Sequence, residues 1–188
     1  MTNLKNIALM ILPMALIAGC ASTPEPQSSV GLPDWVTIPS VENGFADTQC
    51  VEANASMGML KNKATALGRA EIAKQIDLQV KAMDKTYQNL TEADDGSAGG
   101  STFESVSKQV TNQKLSGSRA TKTDYVNFPD GTQQFCVMVT LDPNLTREMY
   151  DGIVKSSGRK LSPQSDEILW QEFKAHKAQQ ELDKELKN

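Results

Sequence analysis

The spacing of apolar residues predicts three strands. Two of them, at 45–55 and 133–141, contain the alternation of two faces that is typical of half-buried strands, over residues 50–55 and 135–141. A β-prone run at 116–126 precedes the last of these. Between them, the sequence Phe-Pro-Asp-Gly at 128–131 predicts a hairpin turn, because glycine accepts a positive φ.

A long amphipathic helix is predicted between the first two strands. Over residues 60–90, apolar side chains recur every three or four positions, as they do on one side of a helix. Lys74, Asp77, Lys81 and Asp84 fall on the opposite side in this pattern. Residues 102–114 fit a short helix or an extended segment equally well. The apolar stripe consists of Ala66, Ala70, Ala73, Ile76, Val80, Met83, Tyr87 and Leu90.

Two further helices are predicted after the last strand. Asp142-Pro143 and Ser162-Pro163 each combine an N-cap residue with a proline at the first helical position. The second of these helices is expected to cover about 164–186. The predicted fold class is therefore α+β, with a small three-stranded, mostly antiparallel sheet covered by one long amphipathic helix and followed by two C-terminal helices.

The amino terminus resembles a bacterial lipoprotein signal. Lys5 is followed by an apolar run from Ile7 to Ile17, which is shorter than the roughly 20 residues that a membrane-spanning helix needs. This run leads into Leu-Ile-Ala-Gly-Cys at 16–20. The resemblance implies that Cys20 is lipidated and becomes the first residue of the mature chain. Several acyl chains on one residue anchor a protein stably to a membrane.

The predicted domain organisation follows from this signal. Residues 1–19 form the signal peptide, and 20–31 form a small, polar, proline-containing tether that buries too little apolar surface to become ordered. Residues 32–156 are the α+β domain, and 157–188 are a C-terminal helical extension. Ala21 follows Cys20 where, in the sorting system that such signals resemble, an aspartate favours the inner membrane. The outer membrane is therefore the expected location, with the domain in the periplasm or at the cell surface.

Charge and cysteine content restrict the partners and the compartment. The net charge of −4 argues against nucleic acid as a partner, since nucleic acids require clustered Lys and Arg. If Cys20 carries lipid, Cys50 and Cys136 remain as an even pair in an oxidising setting. Both alternate with the apolar residues of their strands, so both would project from the sheet face opposite the long helix. A disulfide is predicted, with separate thiols as the alternative if the two strands are not neighbours.

No catalytic or metal-binding motif stands out in the sequence. The only histidine, His176, lies in the charged terminal helix without a cysteine or a second histidine nearby, whereas metal sites usually need three or four ligands. The glycine-rich residues 96–100 lack the lysine of a phosphate-binding loop. We therefore expect a protein that is not an enzyme and that uses no cofactor, metal or small-molecule substrate.

Three internal features, together with Cys20, resemble a known family. They are Pro-Asp-Trp-Val at 33–36, Val-Glu-Ala at 51–53, and Ala-Leu-Gly-Arg-Ala-Glu-Ile-Ala at 66–73 in the long helix. These resemble the LPP-20 type bacterial lipoprotein family, whose members share a Pro-Asp-Trp entry and an alanine-rich helix with an Ala-Arg-x-x-Leu-Ala type core.

The resemblance spans about residues 32–142 and departs from the family pattern at Gly68 and Ile72, where alanine and leucine are usual. It implies a small α+β domain on an outer-membrane lipid anchor. Some relatives are flagellar or surface-associated envelope components, and no catalytic residues carry over.

The expected function is that of a structural or assembly component of the cell envelope. Its partners would be the membrane, through the lipid, and another envelope protein or a second copy of the chain. The alternatives are regulation of a peptidoglycan-building enzyme and hydrolysis of an envelope polymer by a divergent site. The terminal helix is the predicted contact, because a thin apolar stripe runs along an otherwise charged helix; packing of its first turns on the parent domain is the alternative. The stripe consists of Ile168, Ala175, Ala178, Leu182 and Leu186.

Overall fold

A three-stranded antiparallel sheet lies at the centre of the fold. The computed structural model describes residues 31–93 and 100–174. The strands are β1 (Phe45–Glu52), β2 (Arg119–Asn127) and β3 (Gln133–Leu141), in the spatial order β1-β3-β2. The helices in the described part are α1 (Asp34–Thr37), α2 (Met57–Ala93), α3 (Phe103–Leu115), α4 (Pro143–Ser157) and α5 (Pro163–Lys174). The predicted α+β class is confirmed, and the segment that fitted two conformations is the helix α3.

Local sequence signals determine several of these boundaries. The Asp142 carboxylate accepts hydrogen bonds from two backbone N–H groups in the first turn of α4, at 2.9 and 3.0 Å. Gly158 ends that helix in the left-handed conformation, at φ +69°. Ser162 caps α5, and Gly131 adopts φ +83° in the β2–β3 turn. The predicted caps and the predicted hairpin are confirmed.

The two faces of the sheet are covered by different helices. The face that carries Phe135, Val137 and Val139 packs against α2 and forms the main core. On the opposite face, the Thr48 hydroxyl donates to the carbonyl oxygen of Trp35 in α1, at 2.6 Å. Met138 lies on this second face and is only 4% exposed. The central strand is therefore buried on both sides, although its alternating pattern predicts one polar face.

The predicted pattern for α2 is wrong on the inner side at Ala66 and Ala70 and on the outer side at Asp84. Ala66 and Ala70 are exposed, whereas Asp84, which the pattern places on the outer side, is buried. The reason is that this 37-residue helix meets the sheet at Gly68, beside Val139, and meets α3 further along, where Asp84 and Tyr87 contact Phe103. The buried side consequently rotates around the helix. It runs through Leu60, Ala64, Gly68, Ile72, Ile76, Val80, Met83 and Tyr87.

Strand β1 is shorter than its alternating pattern predicts. It ends at Glu52, where the backbone N–H of Asn54 turns back to the Glu52 carbonyl oxygen at 2.9 Å. Ala53 and Ala55 continue the alternation but are exposed. The partner strand explains the difference, because Glu52 is the last residue of β1 that pairs with β3.

Gly68 allows α2 to approach the sheet closely. A Cβ atom at this position would lie 2.8 Å from the Cγ2 atom of Val139. For a Gly68→Ala variant, we expect a steric cost of about 1–3 kcal/mol. Most of this range exceeds the gain of about 1 kcal/mol that alanine brings to a helix interior, so we expect a net loss of stability. Urea unfolding of the variant beside the parent chain measures the net loss.

Gly58 provides the matched control in the same helix. A Cβ atom there would meet nothing within 4 Å. Gly58→Ala should therefore leave the free energy of unfolding unchanged or raise it by up to about 1 kcal/mol. Equal effects of the two substitutions would show that the contact with Val139 does not limit the residue at position 68.

Helix α5 contributes to the main core. Leu169 and Phe173 are both fully buried, and the Phe173 ring meets the Phe45 ring edge-on with centroids 5.6 Å apart. The described fold thus includes residues up to Lys174, the last residue of α5.

Candidate functional site

A disulfide joins the edge strand β1 to the central strand β3. Cys50 and Cys136 lie directly opposite each other in the antiparallel register, and their Cα atoms are 4.0 Å apart. Both side chains project from the face opposite α2, since their neighbours Val51 and Phe135 belong to the core on the α2 side. The predicted disulfide is confirmed, and it links positions separated by 86 residues in the sequence.

A buried ion pair connects α2 to the segment between α4 and α5. One guanidinium nitrogen of Arg159 lies 2.6 Å from the Asp84 carboxylate, and the two side chains are 3% and 13% exposed. The same carboxylate accepts hydrogen bonds from the backbone N–H groups of Phe103 and Glu104, each at 2.9 Å. Asp84 therefore caps the first turn of α3 from a neighbouring helix, where a negative charge is stabilising.

Two aromatic rings enclose the Arg159 side chain. Its guanidinium carbon lies 4.2 Å from the ring centre of Tyr87 and 4.3 Å from that of Phe103, within the range of cation–π contacts. The two rings meet edge-on at 5.7 Å. We call the four residues Asp84, Tyr87, Phe103 and Arg159 the Asp84 cluster. It joins α2, α3 and the segment that follows α4, and the carboxylate at its centre accepts hydrogen bonds from three donors. The arrangement suits a structural clamp rather than a reactive centre.

The sequence pattern does not reveal this cluster. Asp84 and Arg159 are 75 positions apart, and neither belongs to a recognisable motif. The helix-ending Gly158 is the available signal, because it directs the chain away from α4 immediately before Arg159. The partner of that arginine depends on tertiary packing.

A second polar and aromatic cluster fixes α5 against α4. The Tyr150 hydroxyl donates to the Asp166 carboxylate at 2.8 Å, and burial, followed by the contact with Asp166, raises the pKa of this phenol well above its ordinary value. The Arg147 guanidinium lies 5.0 Å from the Tyr150 ring and 4.8 Å from the Trp170 ring. The phenol therefore stays protonated at physiological pH and acts as a hydrogen-bond donor.

Asp47 lies on β1 facing α2, where its half-buried position disfavours the charged form of the carboxyl group. Burial raises the pKa of its carboxyl group above the ordinary value of 3.8, and nearby Glu71 adds to this, while a hydrogen bond from Gln49 opposes it. The Gln49 amide nitrogen lies 2.8 Å from the Asp47 carboxylate. Since the folded state holds this proton more tightly than the unfolded state, the contribution of Asp47 to stability falls as the pH rises through its folded pKa.

We expect Asp47→Asn to stabilise the protein at pH 7 and to have little effect well below pH 3.8, the ordinary pKa of the carboxyl group. The substitution removes the half-buried charge and keeps an oxygen that can accept a hydrogen bond from Gln49. Urea midpoints measured for both chains at pH 7 and at about pH 3 give the comparison.

Asp130 is a control, because its pKa is shifted in the opposite direction to that of Asp47. The backbone N–H of Thr132 donates to its carboxylate at 2.9 Å and lowers its pKa. Asp130→Asn should therefore reduce stability at pH 7 and not at low pH. The same pH dependence in both variants would contradict the role assigned to burial at Asp47.

A shallow groove of about 390 Å³ lies on the surface where α2 meets α3. Its charged residues Asp77, Glu104 and Lys108 have both signs, and Lys81 already pairs with Asp77 at 2.8 Å. In the described ranges, no group of three or more His, Cys, Asp or Glu side chains is arranged to hold a metal ion. The groove therefore offers no concentrated charge for a ligand.

Of the predicted contact stripe, only Ile168 belongs to the described residues. It is 36% exposed, beside a shallow surface groove on α5 that Glu167, Gln171 and Glu172 also line. The prediction for the stripe stays a prediction. The predicted lipidation site, the rest of the stripe and the lone histidine lie outside the described residues: Cys20, Ala175, Ala178, Leu182, Leu186 and His176.

Comparison of the chain with protein-family models, with curated proteins and with solved structures finds no match. None of the helices in residues 31–93 and 100–174 is both long enough and apolar enough to cross a membrane. An inference about function consequently rests on the residues of this chain.

Proposed function

We propose that this chain is an outer-membrane lipoprotein of the LPP-20 type, anchored through Cys20, whose α+β domain is a non-catalytic structural or assembly component of the cell envelope. The observation that carries the proposal is Leu-Ile-Ala-Gly-Cys at 16–20, behind Lys5 and a short apolar run. Small residues directly before a cysteine are what a lipoprotein signal requires, whereas an ordinary secretion signal ends in small residues alone.

The Cys50–Cys136 disulfide supports an exported location. Structural disulfides persist in oxidising compartments and are rare in the cytoplasm. If Cys20 carries the lipid, every cysteine of the chain has a covalent partner. Such a complete assignment of the cysteines fits a protein that works outside the cytoplasm.

The engagement of the buried ionisable groups favours a binding role over catalysis. The carboxylate of Asp84 has three donors, and the Tyr150 phenol is held by Asp166. Catalytic acids and bases need a pKa near the working pH and access to a substrate. The proposed partner is another envelope protein or a second copy of the chain, with Ile168 and the stripe beyond it as one contact.

Substitution of Cys20 tests the anchor. In cells that export lipoproteins, Cys20→Ser should yield an unprocessed precursor that lacks lipid, since serine cannot form the thioether. The matched variant Ala21→Asp should still be cleaved and lipidated but should fractionate with the inner membrane. A Cys20→Ser chain that is still cleaved and still carries lipid would contradict the proposal.

A further inference from the structure

Strand β2 presents an edge of the sheet that has no strand partner among the described residues. It pairs with β3 on one side only, and all of its residues except Ala120 and Val126 are exposed. The backbone N–H of Tyr125 shows which groups face away from β3, because it bonds to the Asp124 carboxylate at 2.8 Å. Since the direction of backbone groups alternates along a strand, the N–H and C=O groups of Thr123 also face outward.

The charges on this edge are self-complementary. Lys122 and Asp124 flank Thr123, and both lie on the sheet face opposite α2, because they pair with Met138 and Cys136. Both are exposed, and neither forms a salt bridge with another residue of the described ranges. A strand that carries a positive and a negative charge two residues apart can meet its own sequence, running antiparallel, with opposite charges aligned.

We propose that β2 pairs antiparallel with β2 of a second copy of this chain, about a two-fold axis that passes beside Thr123. In this register, Lys122 of each copy lies opposite Asp124 of the other. A two-fold axis perpendicular to the sheet maps each face of the sheet onto itself. Directly opposed residues must therefore lie on the same face, which places the axis beside a residue and not between two residues. Moving it by one residue in either direction places Lys122 opposite Lys122, or Asp124 opposite Asp124. Only the axis beside Thr123 therefore aligns Lys122 of one copy with Asp124 of the other.

The same features reduce pairing with other strands. A lysine on an edge strand and a bulge, here between Ala120 and Lys122, are devices that protect natural sheets from unwanted partners. In a dimer, Asp124 of one copy pairs with Lys122 of the other, whereas an apolar strand would leave Lys122 without a counter-charge. The edge is therefore specific for a second copy of itself. The bulge limits regular pairing to about the stretch from Thr121 to Tyr125. We expect a weak dimer in solution that is favoured when tethers hold copies on one membrane.

This inference names a partner for the assembly role proposed above and rests on that role for its cellular setting. Its test does not depend on the anchor, because the full chain extracted in mild detergent reports on the edge whether or not Cys20 carries lipid. If the anchor is present but β2 does not pair, only the dimer proposal fails. If β2 pairs but the anchor is absent, only the proposed function fails.

A cysteine at the proposed axis provides the test. In the Thr123→Cys chain, the two new cysteines would face each other with Cα atoms about 5.5 Å apart, within the range that a disulfide spans. Mild oxidation should then give a covalent dimer on a non-reducing gel. The matched control is Asn127→Cys, which is exposed on the same strand and the same face. Its two copies would be separated by eight residue steps, or about 27 Å, and should not cross-link.

Charge reversal in the Thr123→Cys background tests the register. Lys122→Asp alone and Asp124→Lys alone each place like charges opposite each other, and each should lower the dimer yield by about tenfold. The double variant restores opposite charges and should restore the yield. The unsubstituted chain measures background cross-linking through its own cysteines.

Equal cross-linking at positions 123 and 127, or none above background at position 123, would overturn the proposal. Cross-linking at 123 that does not respond to the charge reversals would also overturn it, because the charges carry the choice of register. Recovery of the dimer in the double variant, after loss in both single variants, is the result expected from pairing of β2 with itself.

Discussion

Replacing Asp84 by alanine is expected to lower the free energy of unfolding by about 3–5 kcal/mol, the cost of leaving one partner of a buried ion pair without the other. The substitution leaves the Arg159 guanidinium, whose side chain is 3% exposed, between two rings without its counter-charge. It also removes the acceptor for two backbone N–H groups at the start of α3. Urea unfolding measured by circular dichroism gives the difference.

Asp77 supplies a control from the surface of the same helix. It pairs with Lys81 at 2.8 Å, but both side chains are about half exposed, so Asp77→Ala should change stability little. Replacing Arg159 by methionine in the Asp84→Ala chain should recover part of the loss, since no unpaired buried charge then remains. If Asp84→Ala costs no more than Asp77→Ala, the Asp84 cluster does not hold the helices together.

Loss of the Cys50–Cys136 bridge is expected to lower the free energy of unfolding by on the order of 4 kcal/mol, because the bridge restricts the unfolded chain over a long loop. The loop is long because the two cysteines are separated by 86 positions. Dithiothreitol should shift the urea midpoint of the parent chain downward. The double variant Cys50→Ala/Cys136→Ala should start from the lower stability and should not respond to the reductant.

Thiol labelling checks the bridge independently of stability. In the unfolded but unreduced chain, neither Cys50 nor Cys136 should react with a thiol reagent, and both should react after reduction. Labelling of both before reduction would contradict the disulfide and would remove this source of stability from the account.

The elements that could be predicted from the sequence are those determined by local chemistry. The alternation at 133–141 matches β3 residue for residue, and the caps at Asp142 and Ser162 act where the Asx-Pro and Ser-Pro signals place them. In each case the residues that carry the signal also make the hydrogen bonds or fill the face. The alternation within each strand also predicts that both cysteines project from the same face of the sheet. A disulfide then requires that β1 and β3 are neighbours, and they are.

The features that could not be predicted depend on which secondary-structure elements pack against each other. The inner side of α2 changes along the helix because its first half meets Val139 of the sheet and its second half meets Phe103 of α3. A single periodic stripe cannot describe two successive partners, so the sequence pattern predicts Ala66 and Ala70 inside and Asp84 outside. The Asp84 cluster depends on tertiary packing in the same way, because Asp84 and Arg159 are 75 positions apart. The need for glycine at position 68 also depends on packing, because a Cβ atom there would lie 2.8 Å from the Cγ2 atom of Val139.

The central claim, a lipid anchor on Cys20, is tested most directly by mass spectrometry of the amino-terminal peptide of the mature protein. We expect the chain extracted from membranes to begin at Cys20, with a diacylglycerol group on the sulfur of this residue and an acyl chain on its nitrogen. A mature chain that still contains residues 1–19, or that begins at an unmodified Cys20, would contradict it.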